Sequence, residues 1–462
     1  MAEPIAFPKP VVGRDVSPER WPSAQMRIVD PKRAADRGVR KLESRHLTLW
    51  TDLPESTGID TLPDLFDQAV PQYASWFQVP MEQIRDWKPV GCVLRSAETF
   101  RALRLLPESL PRFTDGYSVY DALWCYEQES QWYQRNLLFH EGVHCFMVEF
   151  FGGCGAPWYM EGLAELLAAF RLDDGKLTLG VIPTLSNTFV GTDAVSRTDA
   201  VPAPDASLGW GRIRLLQELV RNGKRRSLCG VMRLAPELFD PREAYSWCWA
   251  TATLLANDPD SREIFRLMAN EVQNLDFTAE FLRRLGEETL ERLEAEWYVL
   301  LTDLEYGMDV TRMRVGFGGE TEPVPTDAWA KRTVFANRGW TPTGLRVETG
   351  EVIRCVARGQ VRLSRESVVV DGESVDVMSE PNGISIHYYR GRPLGRLILA
   401  IASVDQLEGF DGSEWISIGT GVVVPIRRTG EIFLKVNDSA ADLADNDGTF
   451  EVAIRRSSQN GG

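Results

Sequence analysis

Histidine is scarce in this chain: His46, His140, His144 and His387 are all it has in 462 residues. Long apolar runs are missing as well, for none approaches the ~20 residues that a membrane-spanning helix needs. The opening "MAEPIAFPKPVVGRD" has no basic stretch followed by an apolar one, so export by the general secretory route is not expected. Positive charge is in deficit, with 51 Lys and Arg against 66 Asp and Glu and a formal net charge of −15. A grip on nucleic acid or on an anionic membrane is therefore not expected. The seven cysteines are scattered and odd in number, unlike a disulfide framework and in keeping with a reducing compartment. The cytoplasm is the default expectation. No G-x-S-x-G supports a serine hydrolase, and there is no internal repeat or low-complexity tract.

What is present is an ordinary globular composition, 44% hydrophobic and 25% charged, with length for roughly two to three domains. From His46 to about Gln128, short runs such as "HLTLWTDL", "VGCVLRS" and "ALWCYEQ" read as strands, with one helical stretch, "LPDLFDQAVPQYASWF", among them. From Gln134 to about Leu304 helical periodicity dominates, interrupted by the polar loop "NTFVGTDAVSRTDAVPAPDAS". A Gly/Pro/acidic segment, "GFGGETEPVPTDA", then leads into strands only, from "GLRVETGEVIRCVARG" to "TFEVAIRR". The expected division is an extension over 1–39, an α+β domain over 40–305, a linker over 306–326, an all-β sandwich over 327–458 and a tail over 459–462. The first domain should be a mixed sheet followed by a helical lobe.

Half of the histidines stand in "NLLFHEGVHCFMVEFFGGCGAPWYMEGLAELLAAF". The run up to Phe151 is helical in pattern, and residues four apart share a face, so His140 and His144 can present two imidazoles to one ion. Glu141 points alongside. A catalytic zinc takes three protein ligands and a water. Gly152, Gly153, Gly155 and Pro157 break the first helix, so a second helix starting near Trp158 can fold back and bring Glu161 to the histidines. Glu165, one turn on, can hold the ring N–H of a bound histidine. The plain alternatives are a buried helix with satisfied histidines and a solvated acidic face; a pair drawn from only four histidines weighs against both.

The pairing of "HEGVH" with "WYMEGLAE" resembles the gluzincin metallopeptidases, and within them the peptidase-MA-like group, over about residues 40–305. That resemblance implies a gluzincin-like α+β domain in which His140, His144 and Glu161 bind zinc, Glu141 is the general base and Glu165 supports a ligand from behind. The sixteen residues between His144 and Glu161 are fewer than in the best-known members, which implies a tight turn.

Zinc chemistry of this kind hydrolyses peptide bonds, with the base moving a proton from water to the leaving amine. An oxyanion donor is also expected, and Tyr245 in "PREAYSWCWATATLL" is the residue chosen, the alternative being a tyrosine packed in the core. Tyr159 lies too near Glu161 in sequence to face it. The strand "ALWCYEQ" is either a sheet edge on which a peptide is laid or a buried strand. Cys145 and Cys154 flank the site, where isolated cysteine is usually a small buried hydrophobe.

The terminal domain holds a second cluster. "LKVNDSAADLADNDGTFEVAI" places Asn437, Asp438, Asp442, Asp445, Asn446 and Asp447 between two strands, oxygen-rich as a hard cation requires, or else a solvated hairpin turn. It is not an EF-hand loop, since neither Leu443 nor Ile454 is a ligand. Together with "RGWTPTGLRVETGEVIRCVARGQ" and "RGRPLGRLILAI" it resembles the calcium-dependent galactophilic (PA-IL-like) lectin sandwich over about 327–457. The resemblance implies calcium held by Asp438, Asp445 and Asn446, with Asp442 contributing its backbone. A sugar-contacting histidine of that family is replaced in "SEPNGIS", so sugar specificity is not inherited.

Two functions follow. One is a zinc peptidase acting on peptides or proteins and carrying a calcium- and glycan-binding β module. The other is a non-catalytic binding protein with a retired gluzincin domain, against which the intact Glu141 speaks. A calcium module fits better outside the cytoplasm, where calcium is abundant.

Overall fold

A computed structural model describes residues 22–184, 210–234, 240–370, 373–403 and 405–457. The loop "NTFVGTDAVSRTDAVPAPDAS" and the tail 459–462 lie outside the described residues. The chain divides into two compact units, 1–216 with 229–285, and 217–228 with 286–462. The first is mixed α and β and the second is β-rich. No helix among the described residues is long and apolar enough to cross a membrane.

The first unit is built on a five-stranded sheet of β1 (Arg40–Glu43), β2 (Thr48–Thr51), β3 (Val90–Leu94), β4 (Gly116–Val119) and β5 (Ala122–Tyr126), in the order β1-β2-β3-β5-β4. β2, β3 and β5 run parallel, while β1 and β4 are antiparallel edges. β3 is buried along its whole length, as expected of a strand covered on both faces. "ALWCYEQ" is therefore an internal strand, the second of its two readings, and the edge beside it is β4. The short helices Pro22–Arg27 and Pro31–Ala35 place Met26 and Ala34 in the same core as Trp50, Val90 and Trp124. The expected N-terminal extension is thus part of the unit from residue 22.

Two helices follow the sheet. Gln131–Phe151 packs on β4 and β5, and Pro157–Ala168 packs both on it and on the helix Pro241–Asn257. A hairpin of β6 (Phe170–Asp173) and β7 (Lys176–Leu179) interrupts the expected run of helices.

The second unit is a sandwich. One sheet has the order β16-β15-β18-β10-β8, from β8 (Glu322–Pro323), β10 (Thr341–Val347), β15 (Leu397–Ala402), β16 (Ile416–Ser417) and β18 (Gly430–Val436). The other has the order β12-β11-β19-β9, from β9 (Ala330–Phe335), β11 (Val352–Val370), β12 (Glu373–Ser379) and β19 (Asp447–Arg456), with β17 (Gly421–Pro425) also on β11. β13 (Ile384–Tyr389) and β14 (Arg392–Leu394) form a separate hairpin. Inward residues of both sheets, among them Leu345, Leu399 and Leu434 of one and Ile353, Cys355 and Val452 of the other, make one core, while β15 is buried on both faces, its Ile398 and Ala400 lying in a second cluster.

The helix Glu287–Asp303, assigned to the first domain from sequence, belongs to this second unit. Its Ala295 and Val299 share a cluster with Trp340, Ile398, Phe410 and Phe433. The expected linker is likewise structured: Val315 and Phe317 lie in that cluster and Val324 in the sandwich core.

Candidate metal centre

Local sequence fixes the two helices that form the centre. Ser130 caps the first, its hydroxyl accepting from the Tyr133 N–H at 3.2 Å. Gly152 ends it in the left-handed conformation at φ 76°, where a side chain is disfavoured. Pro157 opens the second helix, as its fixed φ favours. The glycine inside each motif marks a close approach. A β-carbon on Gly142 would meet the Phe66 ring at 2.5 Å, and one on Gly162 would meet the Cys248 carbonyl oxygen at 2.8 Å.

The result brings together the three ligands expected from sequence. His140 Nε2 lies 3.1 Å from His144 Nε2. Glu161 Oε2 lies 3.2 Å from His140 Nε2 and 3.6 Å from His144 Nε2, with neither Glu161 oxygen in a well-aligned hydrogen bond. These residues form a buried group that could hold a metal ion, the only such group of His, Cys, Asp or Glu among the described residues. Four ligands set tetrahedrally at 2.0–2.1 Å from zinc would stand about 3.3 Å apart, so the observed triangle fits that ion. Two ring nitrogens and a carboxylate oxygen meet here.

The electrostatics are those of a tight, buried cluster. Burial acts to lower His140, but Glu161 and Glu165 outweigh it and raise it to about 9. Burial likewise opposes the rise of His144 to about 10, which Cys154 and Glu161 bring about. Glu161 is held down at about 2 by the two histidines against the upward push of burial.

Glu141 stands beside this group at the sheet edge. Burial raises its carboxyl above the usual range, while His140, His144 and a hydrogen bond from Ser118 of β4 pull the other way. Tyr245 presents its ring edge-on to His140, with centroids 5.9 Å apart. Burial and the carboxylates of Glu161, Glu141 and Glu165 push its phenol well above the ordinary value, so it keeps its O–H. Tyr159 instead packs among Trp158, Phe265 and Phe277.

Glu165 sits behind His140, with Oε1 3.5 Å from Nδ1. Two residues that sequence reasoning missed hold it there. Arg212 donates from Nη2 to Oε1 at 2.7 Å and from Nε to Oε2 at 3.1 Å, and Trp210 Nε1 donates to Oε2 at 2.8 Å. The one available signal was the "GWGR" junction opening a helical run, which names no partner. The Cys145 thiol is pushed well up by burial and stays protonated. Cys154 Sγ lies 3.8 Å from the His144 carbonyl oxygen. His46 is occupied elsewhere, its Nδ1 2.9 Å from the Trp87 carbonyl oxygen.

The acidic loop of the second unit is only partly gathered. Asp438 is buried and accepts from the Ser439 N–H at 2.8 Å and from Asn446 Nδ2 at 2.8 Å. Asp442 and Asp445 are exposed and form no metal-sized group with Asp438. The loop is pinned instead by Glu305, whose Oε1 accepts from Ser439 Oγ at 2.7 Å and from the Ala441 N–H at 3.0 Å. The side-chain oxygens of Asn437 and Asn446 are buried without a partner.

No protein-family model matches the chain, and no curated protein matches it. Among solved structures, one described as "EclA N-terminal domain; PllA-like lectin" aligns at 22% identity over 28% of this chain and 96% of that chain, with a TM-score of 0.21. That likeness carries no argument about activity.

Proposed function

We propose that the chain is a zinc-dependent peptidase. The observation that carries this reading is the convergence of His140 Nε2, His144 Nε2 and Glu161 Oε2 at zinc-ligand spacing, with the buried carboxylate of Glu141 beside them. Bound zinc would supply a Lewis acid for the scissile carbonyl and make water acidic enough to attack near neutral pH. Glu141 would accept the attacking water's proton and deliver it to the leaving amine nitrogen, a role suited to a carboxyl raised towards the working pH. Tyr245 would donate its O–H to the developing oxyanion. Glu165 would hold the Nδ1 proton of His140 and so keep Nε2 free as a ligand.

Metal analysis of the purified full chain, followed by digestion of a peptide library, tests this. About one zinc per chain and defined cleavage products are expected. A metal-free chain prepared without chelator overturns the assignment. A zinc-loaded chain that leaves the library intact points instead to a retired, non-catalytic binding protein.

We also propose calcium, and through it a glycan, as partners of the second unit. Supporting this are the unpartnered oxygens of Asn437 and Asn446 close in sequence to Asp438, oxygen donors of the kind calcium takes.

A further inference from the structure

We propose that Arg212 is a positioning residue for the metal centre, fixing Glu165 against His140 and seating the ring of Tyr245 at the same time. This rests on the zinc reading above. The guanidinium meets both Glu165 oxygens at 2.7 and 3.1 Å, the fork-to-carboxylate match that gives geometric specificity as well as energy. Trp210 closes the remaining direction on Oε2, so Oε1 is left facing His140 Nδ1. The same guanidinium carbon stands 5.2 Å from the centre of the Tyr245 ring, a cation–π distance. Tyr245 in turn lies edge-on to His140. His140, Glu165, Arg212 and Tyr245 thus close a loop of contacts, and Arg212 is the one member that touches neither the ion position nor the histidine. Unlike a plain structural ion pair, it ties the orientation of a ligand to the placement of the oxyanion donor.

The test uses the full chain with Arg212→Lys, which keeps the charge and loses the fork, and Arg212→Met, which loses both. Zinc affinity is read by competition with a chromophoric chelator, coordination by the visible spectrum of the cobalt(II)-loaded protein, and folding by melting of the metal-free form. Both variants should bind zinc about ten- to a hundredfold more weakly and show an altered cobalt spectrum. On a peptide that the wild type cleaves, kcat should fall by more than KM rises. Glu165→Gln combined with Arg212→Met should be no worse than the more damaged single variant, because the two act as one unit. A folded variant with wild-type zinc affinity and an unchanged cobalt spectrum overturns the proposal. If Arg212→Met does not fold, Arg212→Lys decides. Wild-type chain that takes up no zinc removes the zinc reading and this inference together, whereas zinc-loaded wild type with indifferent Arg212 variants removes this inference alone.

Discussion

Gly116 and Glu141 nearly touch: a β-carbon on Gly116 would lie 2.6 Å from Glu141 Oε1 and 2.9 Å from Leu137 Cδ1. The edge strand β4 passes over the carboxylate with only a hydrogen atom between them. Gly116→Ala should therefore push Glu141 aside while leaving the three ligands in place. Zinc content should stay at wild-type level and kcat should fall about a hundredfold, the scale of an ångström-sized misplacement. Undiminished turnover would show that Glu141 has room to spare.

On the zinc-peptidase reading, Glu141 carries the proton without ligating the ion. Glu141→Gln should retain zinc and lose hydrolysis by orders of magnitude, since the amide can still fill the space but cannot carry the proton. Equal rates in variant and wild type would exclude it as the base.

As the proposed oxyanion donor, Tyr245 acts late, in the transition state. Tyr245→Phe keeps the ring that faces His140 and Arg212 and removes only the O–H, so kcat should drop about ten- to a thousandfold with little change in KM. An unaffected kcat/KM would leave the ring as packing for Arg212.

Asp438 gives the second unit a pH signature. Burial pushes its carboxyl up to about 6, against the pull of Asn446 and the Ser439 N–H, while an unfolded chain has it near 3.9. With the folded value above the unfolded one, the folded chain binds the extra proton between them. The stabilisation is full below about pH 4 and is lost as pH rises through about 6, at most on the order of 3 kcal/mol. In chelator, Asp438→Asn should melt above wild type at pH 7.5 and level with it at pH 4. Millimolar calcium should raise the wild-type melting temperature at pH 7.5, as about 2.7 kcal/mol does at a hundredfold excess over Kd, and should not raise that of the variant. A wild type indifferent to calcium would leave the loop held by Glu305 and its own hydrogen bonds.

The centre was legible where it is written locally. His140 and His144 share a face by spacing, and Gly152 and Pro157 mark where one helix stops and the next starts, so the approach of Glu161 followed from a single turn. Arg212 was not legible, because its contact with Glu165 spans 47 positions and nothing in a basic residue on an amphipathic run says that it will be buried. β4 escaped notice because four residues with a glycine at their head carry too little alternation to read as a strand. The helix Glu287–Asp303 was read correctly as a helix and placed in the wrong unit. Its apolar stripe announces that something covers it, but Ile398 and Phe433, which do so, lie far further along the chain.

That same helix ends at Asp303, which is 1% exposed and ion-paired with Arg390 and with Lys435 Nζ at 3.5 Å. Severing the chain at residue 327, where the strands begin to dominate the sequence, would strip this carboxylate from Lys435, itself 1% exposed. It would also bare the sheet surface around Trp340, Phe410 and Phe433. An isolated β piece cut there would expose a greasy flank beside an orphaned cation, a surface prone to self-association. A fragment that keeps this flank covered has to include the helix Glu287–Asp303, and with it the segment 217–228 of the same unit, whose Arg225 and Leu228 bond to that helix.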